Sequence, residues 1–529
     1  MKNIFSFFYR YEKYFFLLLV LLHAIPLFTL TYFVTHDGPG HLYNANLINH
    51  LLFDRESTSS KIFEFTPGII PNWISHVLLC FFNLFLQAPV AEKAFQLLYV
   101  ISFSYSFRLL VKSVHRANIL ASWLCFPFIY SFTFHIGFYS FSLGLSVLFF
   151  VLAYYGRNHS VLRVRQSAVM ALCMIALYFS HLFVFLSAFS CIFFFIFWES
   201  ITAGKNPLRQ IVSDSLFQKN TTLFLLASAI PLFFSLRFIL ANSSSSQMEL
   251  PVFKYVIEWF RDVRPLIALD YDREKIYSQP LFFVYILIFI SAVIRKIQER
   301  KKNKAPWWNY TDGWLILSAI MILFFFFLPD DLISGGIIGI RFCLMGYLFL
   351  FLFLSANASQ VVLTIGAFAS IVVSFLMIAE RYDSIKVLSE MSESYATCAA
   401  KINKGSTLLT INYSDNWMLD NIPSYIGAEK EILVLDNYEA SQVHFPLRWK
   451  ANKNANFIIG TFATSNRPCV DLSAYNQKAG VQVDYILLME KPEELTDSCW
   501  VDLKKQLSAN YKIIYSIPQR HAQLYGRLN

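Results

Sequence analysis

A short polar segment that follows the first long apolar run contains the residue types of acid–base chemistry. The segment Thr35-His36-Asp37-Gly38-Pro39-Gly40-His41 places a carboxylate and an imidazole four residues apart. Its proline and glycines predict a tight turn that opens a helix ending at about Phe53, with Asp37 and His41 on one face. An aspartate there can take a proton from a hydroxyl group. Asp37 is therefore a candidate catalytic base, and His41 is a candidate substrate-binding residue.

A structural explanation of the same residues stays open. An aspartate before a helix often only caps it by accepting backbone N–H bonds, and His41 would then be a polar surface residue. The same loop contains a second polar segment, Pro71-Asn72-Trp73-Ile74-Ser75-His76. It makes His76 another candidate for substrate binding, with anchoring at the membrane interface as the alternative.

A guanidinium near a span end offers complementary chemistry. Arg341 lies a few residues inside the apolar stretch 337–354, where an unpaired charge costs about 2.5–3.5 kcal/mol. The side chain either reaches the interface, pairs with Asp330 or Asp331, or binds a phosphate, for which its planar fork of donors is suited. His181, between two apolar stretches, is a candidate for the same cavity, although a lone histidine at a span end is more often structural.

The composition identifies the class of protein that holds these residues. The chain is 56% hydrophobic, 18% aromatic and only 15% charged, with a mean hydropathy of +0.47. These values exclude an ordinary soluble protein and indicate a polytopic membrane protein. The net charge of +9 comes from short basic clusters between apolar runs, which is typical of cytoplasmic loops, so we expect no nucleic-acid partner.

Placing each basic cluster in the cytoplasm predicts about eleven transmembrane helices. The N-terminus is then cytoplasmic and the C-terminus extracytoplasmic. The apolar run 72–87 is predicted to lie on or half-enter the outer leaflet rather than cross the membrane. The pair 167–181 and 182–198 requires one long apolar stretch to be cut near His181. The predicted spans are 14–34, 92–111, 118–134, 138–155, 167–181, 182–198, 221–240, 279–294, 313–328, 337–354 and 358–380.

Two domains follow from this topology: a transmembrane module over 1–380, with an outer first loop at 35–91, and an extracytoplasmic domain over 381–529. Polar residues return in the second domain, and the short β-rich runs 406–412, 431–435, 456–462, 483–489 and 511–516 predict an α/β fold. Cys469 and Cys499 are the better guess for one disulfide, which spacing alone does not establish. The sequence contains no Walker loop, dinucleotide-binding glycine motif or zinc-protease motif.

Together these features resemble the GT-C superfamily of membrane glycosyltransferases, in particular the bacterial relatives of protein mannosyltransferases and aminoarabinose transferases. The resemblance rests on the acidic first loop, the helix beginning at Pro71, Arg341 after a later outer turn, and the outer C-terminal domain. It implies a GT-C-like fold in the bacterial inner membrane and a sugar donor linked to polyprenyl phosphate. Asp37 would be the base and Arg341 would hold the donor phosphate, while the acceptor is a glycan, lipid or protein.

The sequence departs from many members of that superfamily because Gly38 follows Asp37 where a second carboxylate is common. We therefore expect no metal and no other cofactor. Two other functions stay open: a transporter or flippase of lipid-linked glycans, and a non-catalytic envelope assembly protein. The first is disfavoured because no inverted repeat is evident and most spans lack a charged residue near mid-membrane.

Overall fold

The computed structural model describes residues 2–54, 56–159, 161–204, 208–242, 252–303, 308–330, 336–455, 470–491 and 498–528. The helices are α1 (Lys2–Phe28), α2 (Gly38–Phe53), α3 (Ile74–Asn83), α4 (Ala88–Val114), α5 (Phe132–His135), α6 (Tyr139–Asn158), α7 (Val164–Ser180), α8 (Leu182–Thr202), α9 (Leu208–Ser213), α10 (Ser215–Asn242), α11 (Phe253–Arg261), α12 (Tyr271–Asn303), α13 (Gly313–Phe327), α14 (Ile338–Asn357), α15 (Gln360–Ala396), α16 (Leu472–Ala479) and α17 (Ser498–Asn510). The strands are β1 (Phe63–Phe65), β2 (Thr407–Asn412), β3 (Leu433–Val434), β4 (Leu447–Trp449), β5 (Tyr485–Met489), β6 (Tyr511–Ile517) and β7 (Ala522–Arg527).

Nine helices of the described residues are long and apolar enough to cross a membrane. They are α1, α4, α6, α8, α10, α12, α13, α14 and α15, and each coincides with one predicted span. A helix of about 20 apolar residues covers the hydrocarbon core because each residue adds 1.5 Å. The prediction of a polytopic helical membrane protein is therefore confirmed.

The two other predicted spans have different structures. Residues 118–134 form no spanning α-helix: a 3-10 helix runs over Arg116–Phe128, with a non-helical backbone at Asn118. The Asn118 amide donates to the Ser355 carbonyl at 2.8 Å, and Pro127 has no N–H to give. The predicted span 167–181 is the helix α7, whose 17 residues fall short of a full crossing in length. The predicted break at His181 is confirmed, because α7 ends at Ser180 and α8 begins at Leu182.

The chain divides into two compact units. The first unit comprises Met1–Ile25 and Leu97–Tyr382. Its most buried span is α14, in which 94% of the most apolar segment is buried inside the protein. Gly346 allows α13 to pack closely against α14, because a Cβ at this position would lie 2.9 Å from Ile322 Cγ1. Small residues at such contacts let membrane helices approach closely.

The second unit comprises Pro26–Gln96 and Asp383–Asn529, and it contains a five-stranded sheet of order β3-β2-β5-β7-β6. Strands β2, β3 and β5 are parallel, and β7 is antiparallel to β5 and β6. Most residues of the central strands β2 and β5 are buried, as expected for strands covered on both faces. Four of the five predicted β-rich runs coincide with strands, and the fifth, 456–462, lies outside the described residues. Cys499 is disulfide-bonded, while Cys469 lies outside the described residues.

The first loop and the C-terminal segment fold together in this second unit. Strand β1 of the loop pairs with β4 in antiparallel register, with Phe63 opposite Trp449. Helix α2 has the predicted bounds, and residues 38–48 are all buried, so protein encloses this part of the helix. Helix α3, with 10 residues, is too short to cross a membrane, in agreement with the prediction for 72–87.

Candidate functional site

Asp37 lies at the N-cap position of α2, but its side chain makes no capping hydrogen bond. Its Oδ1 atom instead lies 2.9 Å from His36 Nδ1 and 3.2 Å from the Asn421 amide, which donates to it. Only 8% of Asp37 is exposed. The purely capping explanation of Asp37 therefore does not fit, because the carboxylate faces side chains rather than the first helical turn.

His36 links Asp37 to a second carboxylate. Its Nε2 atom lies 3.8 Å from Asp420 Oδ2, and its ring packs 5.1 Å from that of Trp417. Burial lowers the pKa of His36, but the hydrogen bonds and negative charges of Asp37 and Asp420 outweigh burial and raise it to about 9. His36 is therefore an imidazolium at neutral pH and balances part of the negative charge around Asp37.

His41 and His76 meet on the carboxylate of Glu439. His41 Nδ1 lies 2.8 Å from Glu439 Oε1, and His76 Nε2 lies 2.9 Å from Glu439 Oε2. The two imidazole rings stand nearly perpendicular, with centroids 5.1 Å apart. The three side chains come from α2, α3 and a 3-10 turn at Glu439–Ser441. The structure thus brings together two histidines that the sequence proposed separately for substrate binding.

The Glu439 cluster is almost completely enclosed. His41 is 4% exposed, His76 is 1% exposed and Glu439 is not exposed at all. The Asn44 amide donates to Glu439 Oε2 at 2.9 Å, and Asn437 in turn donates to Asn44 Oδ1 at 2.8 Å. Burial alone raises the pKa of Glu439, but the charge of His41 and the hydrogen bonds of both histidines lower it to about 2. Glu439 is therefore an ionised carboxylate, and the three ligand atoms have the spacing of a metal site.

The hydroxyl group of Tyr438 is influenced by the charges of two carboxylates, Asp37 and Glu439. Burial, followed by the negative charges of Asp37 and Glu439, raises the pKa of its hydroxyl group. The Tyr438 ring also packs edge-on against Phe445, which contacts both His41 and His76. The Asp37 and Glu439 groups therefore influence the same tyrosine.

Arg341 and His181 form the second cluster, in the first unit. Arg341 Nη1 lies 3.2 Å from His181 Nε2, and Nη2 donates to the Gly336 carbonyl at 3.0 Å. The guanidinium stacks over the rings of Phe138 and Phe141, at 4.3 and 5.3 Å from their centroids. The arginine is only 6% exposed, so it does not reach out to solvent. The structure thus joins two residues that the sequence proposed for one cavity.

Asp330, the suggested partner of Arg341, has a capping role. Its carboxylate accepts the Gly339 N–H at 2.8 Å, and its carbonyl accepts the Ile338 N–H at 3.0 Å. Both donors belong to the first turn of α14, whose N–H groups need such acceptors. Asp331 lies outside the described residues. Asp330 therefore fixes the start of the helix that presents Arg341.

Sequence reasoning missed His36, Asp420, Asn421 and Glu439 as members of the site. His36 is next to Asp37 in the sequence, so its position beside the proposed base was a usable signal. The other three come from the C-terminal segment, 363 residues or more from their partners along the chain. Nothing in the local sequence around them differs from an ordinary polar surface.

The fold has solved counterparts. A crystal structure of ArnT from Cupriavidus metallidurans in the apo state matches with a TM-score of 0.54 and 10% identity, covering 98% of each chain. A second structure of the same protein, bound to undecaprenyl phosphate, matches with a TM-score of 0.54 and 11% identity over 97% of this chain and 98% of that chain. No protein-family model and no curated protein sequence matches the chain.

At this level of identity, the likeness to ArnT is a likeness of fold. The predicted architecture of many apolar helices with a C-terminal sheet is confirmed, and it is the fold of the ArnT structures. The nine apolar helices and this fold make the chain an integral membrane protein.

Proposed function

We propose that the protein is a glycosyltransferase of the bacterial inner membrane that takes its sugar from a polyprenyl-phosphate donor. The observation that best supports this proposal is the fold, which extends over 98% of the chain and is shared with ArnT. One ArnT structure contains undecaprenyl phosphate, a lipid of the proposed donor class. The acceptor would be an extracytoplasmic glycan, lipid or protein, with the N-terminus in the cytoplasm and the C-terminal segment outside.

The reaction requires one proton to be removed and one leaving group to be stabilised. The acceptor hydroxyl oxygen forms a bond to the anomeric carbon, while the bond from that carbon to the phosphate oxygen breaks. The hydroxyl proton goes to the base, and the polyprenyl phosphate departs with the electron pair. A carboxylate and a guanidinium supply these two functions.

Asp37 is the proposed base. Its Oδ1 atom contacts His36 and Asn421, and the carboxylate also forms a hydrogen bond with Tyr438. These contacts hold the side chain in one orientation, as a base must be held to reach the proton that it removes. His36 and Asn421 act on the substrate only through Asp37 and are therefore positioning residues.

Arg341 and His181 are proposed to hold the donor phosphate. Arg341 Nη1 and His181 Nε2 lie 3.2 Å apart, so both side chains can face one ligand oxygen. A guanidinium donates to phosphate oxygens through a planar fork, and an imidazole N–H can donate beside it. His41 and His76, which contact Glu439, stay predicted substrate-binding residues.

The proposal is tested by comparing the cell-envelope glycans of a deletion strain complemented with the native gene or with Asp37→Asn. Mass spectrometry should show one sugar present with the native gene and absent with the variant. In membranes, transfer from a polyprenyl-phosphate sugar should fall by about 100-fold to 10,000-fold, because a general base is lost. Asp502→Asn is the matched control, since Asp502 is an exposed acid of α17.

Other outcomes would identify the other two functions. Full glycan decoration by correctly inserted Asp37→Asn would contradict a catalytic aspartate and favour a non-catalytic assembly protein. Undecorated lipid-linked glycan confined to the inner leaflet would indicate a flippase instead. A transferase leaves its unused donor accessible from outside.

A further inference from the structure

We infer that His41, His76 and Glu439 form a binding site for a divalent transition metal, with zinc as the preferred ion. Two imidazole nitrogens and a carboxylate are a common zinc ligand set in proteins. This site was not predicted from the sequence, where the missing second carboxylate after Asp37 led us to expect no metal. The inference concerns the Glu439 cluster alone and does not depend on transferase activity.

The spacing of the ligand atoms fits a metal ion. Each histidine nitrogen lies within 2.9 Å of a different Glu439 oxygen, and the three ligand atoms lie within 4.8 Å of one another. Ligands of a tetrahedral zinc ion, at about 2.0–2.1 Å from the metal, are about 3.3 Å apart. Movements of less than about 1 Å would therefore accommodate the ion, within the freedom of side-chain torsions.

The surroundings orient each ligand toward a common point. The Asn44 amide donates to Glu439 Oε2, and the far side of the His76 ring is held by Ser75 Oγ, 3.4 Å from Nδ1, and by a hydrogen bond to the backbone of Asn72. Protein zinc sites typically fix the second nitrogen of a ligating histidine in this way. The His76 nitrogen that faces Glu439 is therefore the one available to a metal.

An aromatic side chain and the backbone of Gly40 enclose the Glu439 cluster and leave little space for larger side chains. Phe445 lies 5.7 and 5.6 Å from the rings of His41 and His76. A Cβ at Gly40 would lie 2.9 Å from Glu439 Oε1, so only glycine fits beside the carboxylate. The charge of His41 and the hydrogen bonds of both histidines compensate the buried carboxylate. A divalent ion bound by neutral imidazoles would replace that compensation.

The Glu439 cluster contains two histidines, whereas the other group of possible metal ligands among the described residues contains one. His50, Asp54 and Glu431 lie near one another as well, but His50 and Asp54 are not buried. Glu431 accepts hydrogen bonds from Ser57 and Ser59, which satisfy one of its oxygens. Exposed acidic groups of that kind occur commonly without a metal, so the inference is restricted to the Glu439 cluster.

The first test is the metal content of the full chain purified in detergent without chelators. Inductively coupled plasma mass spectrometry should find about one zinc per chain in the native protein, as one ligand set of this kind predicts. Glu439→Gln and His76→Ala should reduce the content to background. His521→Asn is the control, because His521 is exposed and outside the cluster, and it should retain the metal.

A second test applies even if those variants fold poorly. After EDTA treatment, Co²⁺ should give a visible d–d spectrum with the native protein, and His41→Cys should add a sulfur-to-cobalt charge-transfer band. That band appears only if position 41 ligates the ion. Native protein without zinc and without a cobalt spectrum would overturn the inference, as would equal metal contents in native protein and in Glu439→Gln. Because neither readout involves sugar transfer, an inactive transferase would leave this result unaffected.

Discussion

The Glu439 cluster and the Arg341 cluster are buried to a similar degree but differ in electrostatic character. Glu439 is not exposed and Arg341 is 6% exposed. Around Glu439, the structure gathers ligand atoms that suit a cation. The described contacts of Arg341 include an imidazole, a carbonyl and two aromatic rings.

We therefore propose a different ligand for each of the two clusters. Positive charge in a low-dielectric setting attracts an anion strongly, so a phosphorylated lipid is expected at Arg341 and not at Glu439. A divalent cation has the opposite preference. Changes in one cluster should therefore alter one ligand and leave the other unaffected.

The largest effect is expected for Arg341→Gln. Sugar transfer should fall by about 100-fold to 1,000-fold, because the phosphate loses a preorganised positive donor. Arg341→Lys should recover only part of this loss, since an ammonium group does not reproduce the planar fork. Transfer assays and binding of undecaprenyl phosphate measure both effects. Arg157→Gln, at an exposed position of α6, is the control. Native-like sugar transfer by Arg341→Gln would contradict the proposed difference between the two clusters, because Arg341 would then hold no phosphate.

The next effect is a dependence of stability on pH that originates at His36. Asp37 and Asp420 raise the pKa of His36 to about 9 in the folded protein, from 6.5 for an unperturbed histidine. The stabilisation is therefore complete below pH 6.5 and is lost as the pH rises through 9, at a cost on the order of 2–3 kcal/mol. Thermal unfolding between pH 6 and 10 should show this decline in the native protein and a flatter profile in His36→Gln. Identical profiles would show that His36 does not titrate in this range.

A smaller effect is expected from Asn44→Ala, which tests how tightly the Glu439 cluster is enclosed. Asn44 is fully buried and connects Glu439 with Asn437. Its loss leaves buried polar groups without this partner, which should destabilise the protein by about 1–3 kcal/mol. Thermal unfolding in detergent measures the change. Asn476→Ala, at an exposed site in α16, should be nearly neutral, and equal melting temperatures for the two variants would argue against a closed cluster.

The smallest effect is expected for Phe138→Leu beneath Arg341. The guanidinium lies 4.3 Å from the Phe138 centroid, and such a contact contributes about 0.5–2 kcal/mol. We expect a loss of several-fold in affinity for undecaprenyl phosphate, measured by titration in detergent. Phe283→Leu, at an exposed position of α12, is the control. A loss in metal content instead would connect the two clusters and contradict their independence.

The sequence predicted those features of the molecule that depend on local pattern. Nine spans, the bounds of α2, the break at His181 and most central strands follow from apolar runs, turn residues and β-rich segments. Residues 118–134 were predicted as a spanning α-helix, but the described backbone there is a 3-10 helix with a non-helical residue at Asn118, whose amide bonds to Ser355, a partner 237 residues away. The burial of α2 was missed because the groups that cover it come from distant parts of the chain.

The candidate site shows the same difference between features that depend on local sequence and features that depend on distant contacts. Asp37, His41, His76, His181 and Arg341 were proposed from residue type and position, and in the structure His41 and His76 share Glu439 while Arg341 contacts His181. Their roles with substrate stay predictions. Glu439 was missed, because a glutamate in a polar segment has no local signature and a single sequence contains no record of which distant residues meet.

The pairing of β1 with β4 determines when the second unit can be completed during biosynthesis. Phe63 emerges early from the ribosome, whereas its partner Trp449 follows after most of the transmembrane helices have been made. The polar groups of α2 therefore lack their partners until the C-terminal segment has been synthesised. A nascent chain that stops before Glu439 would leave His41 and His76 without their shared carboxylate. Quality-control proteases would then find this loop, rather than the membrane helices, as the first accessible substrate.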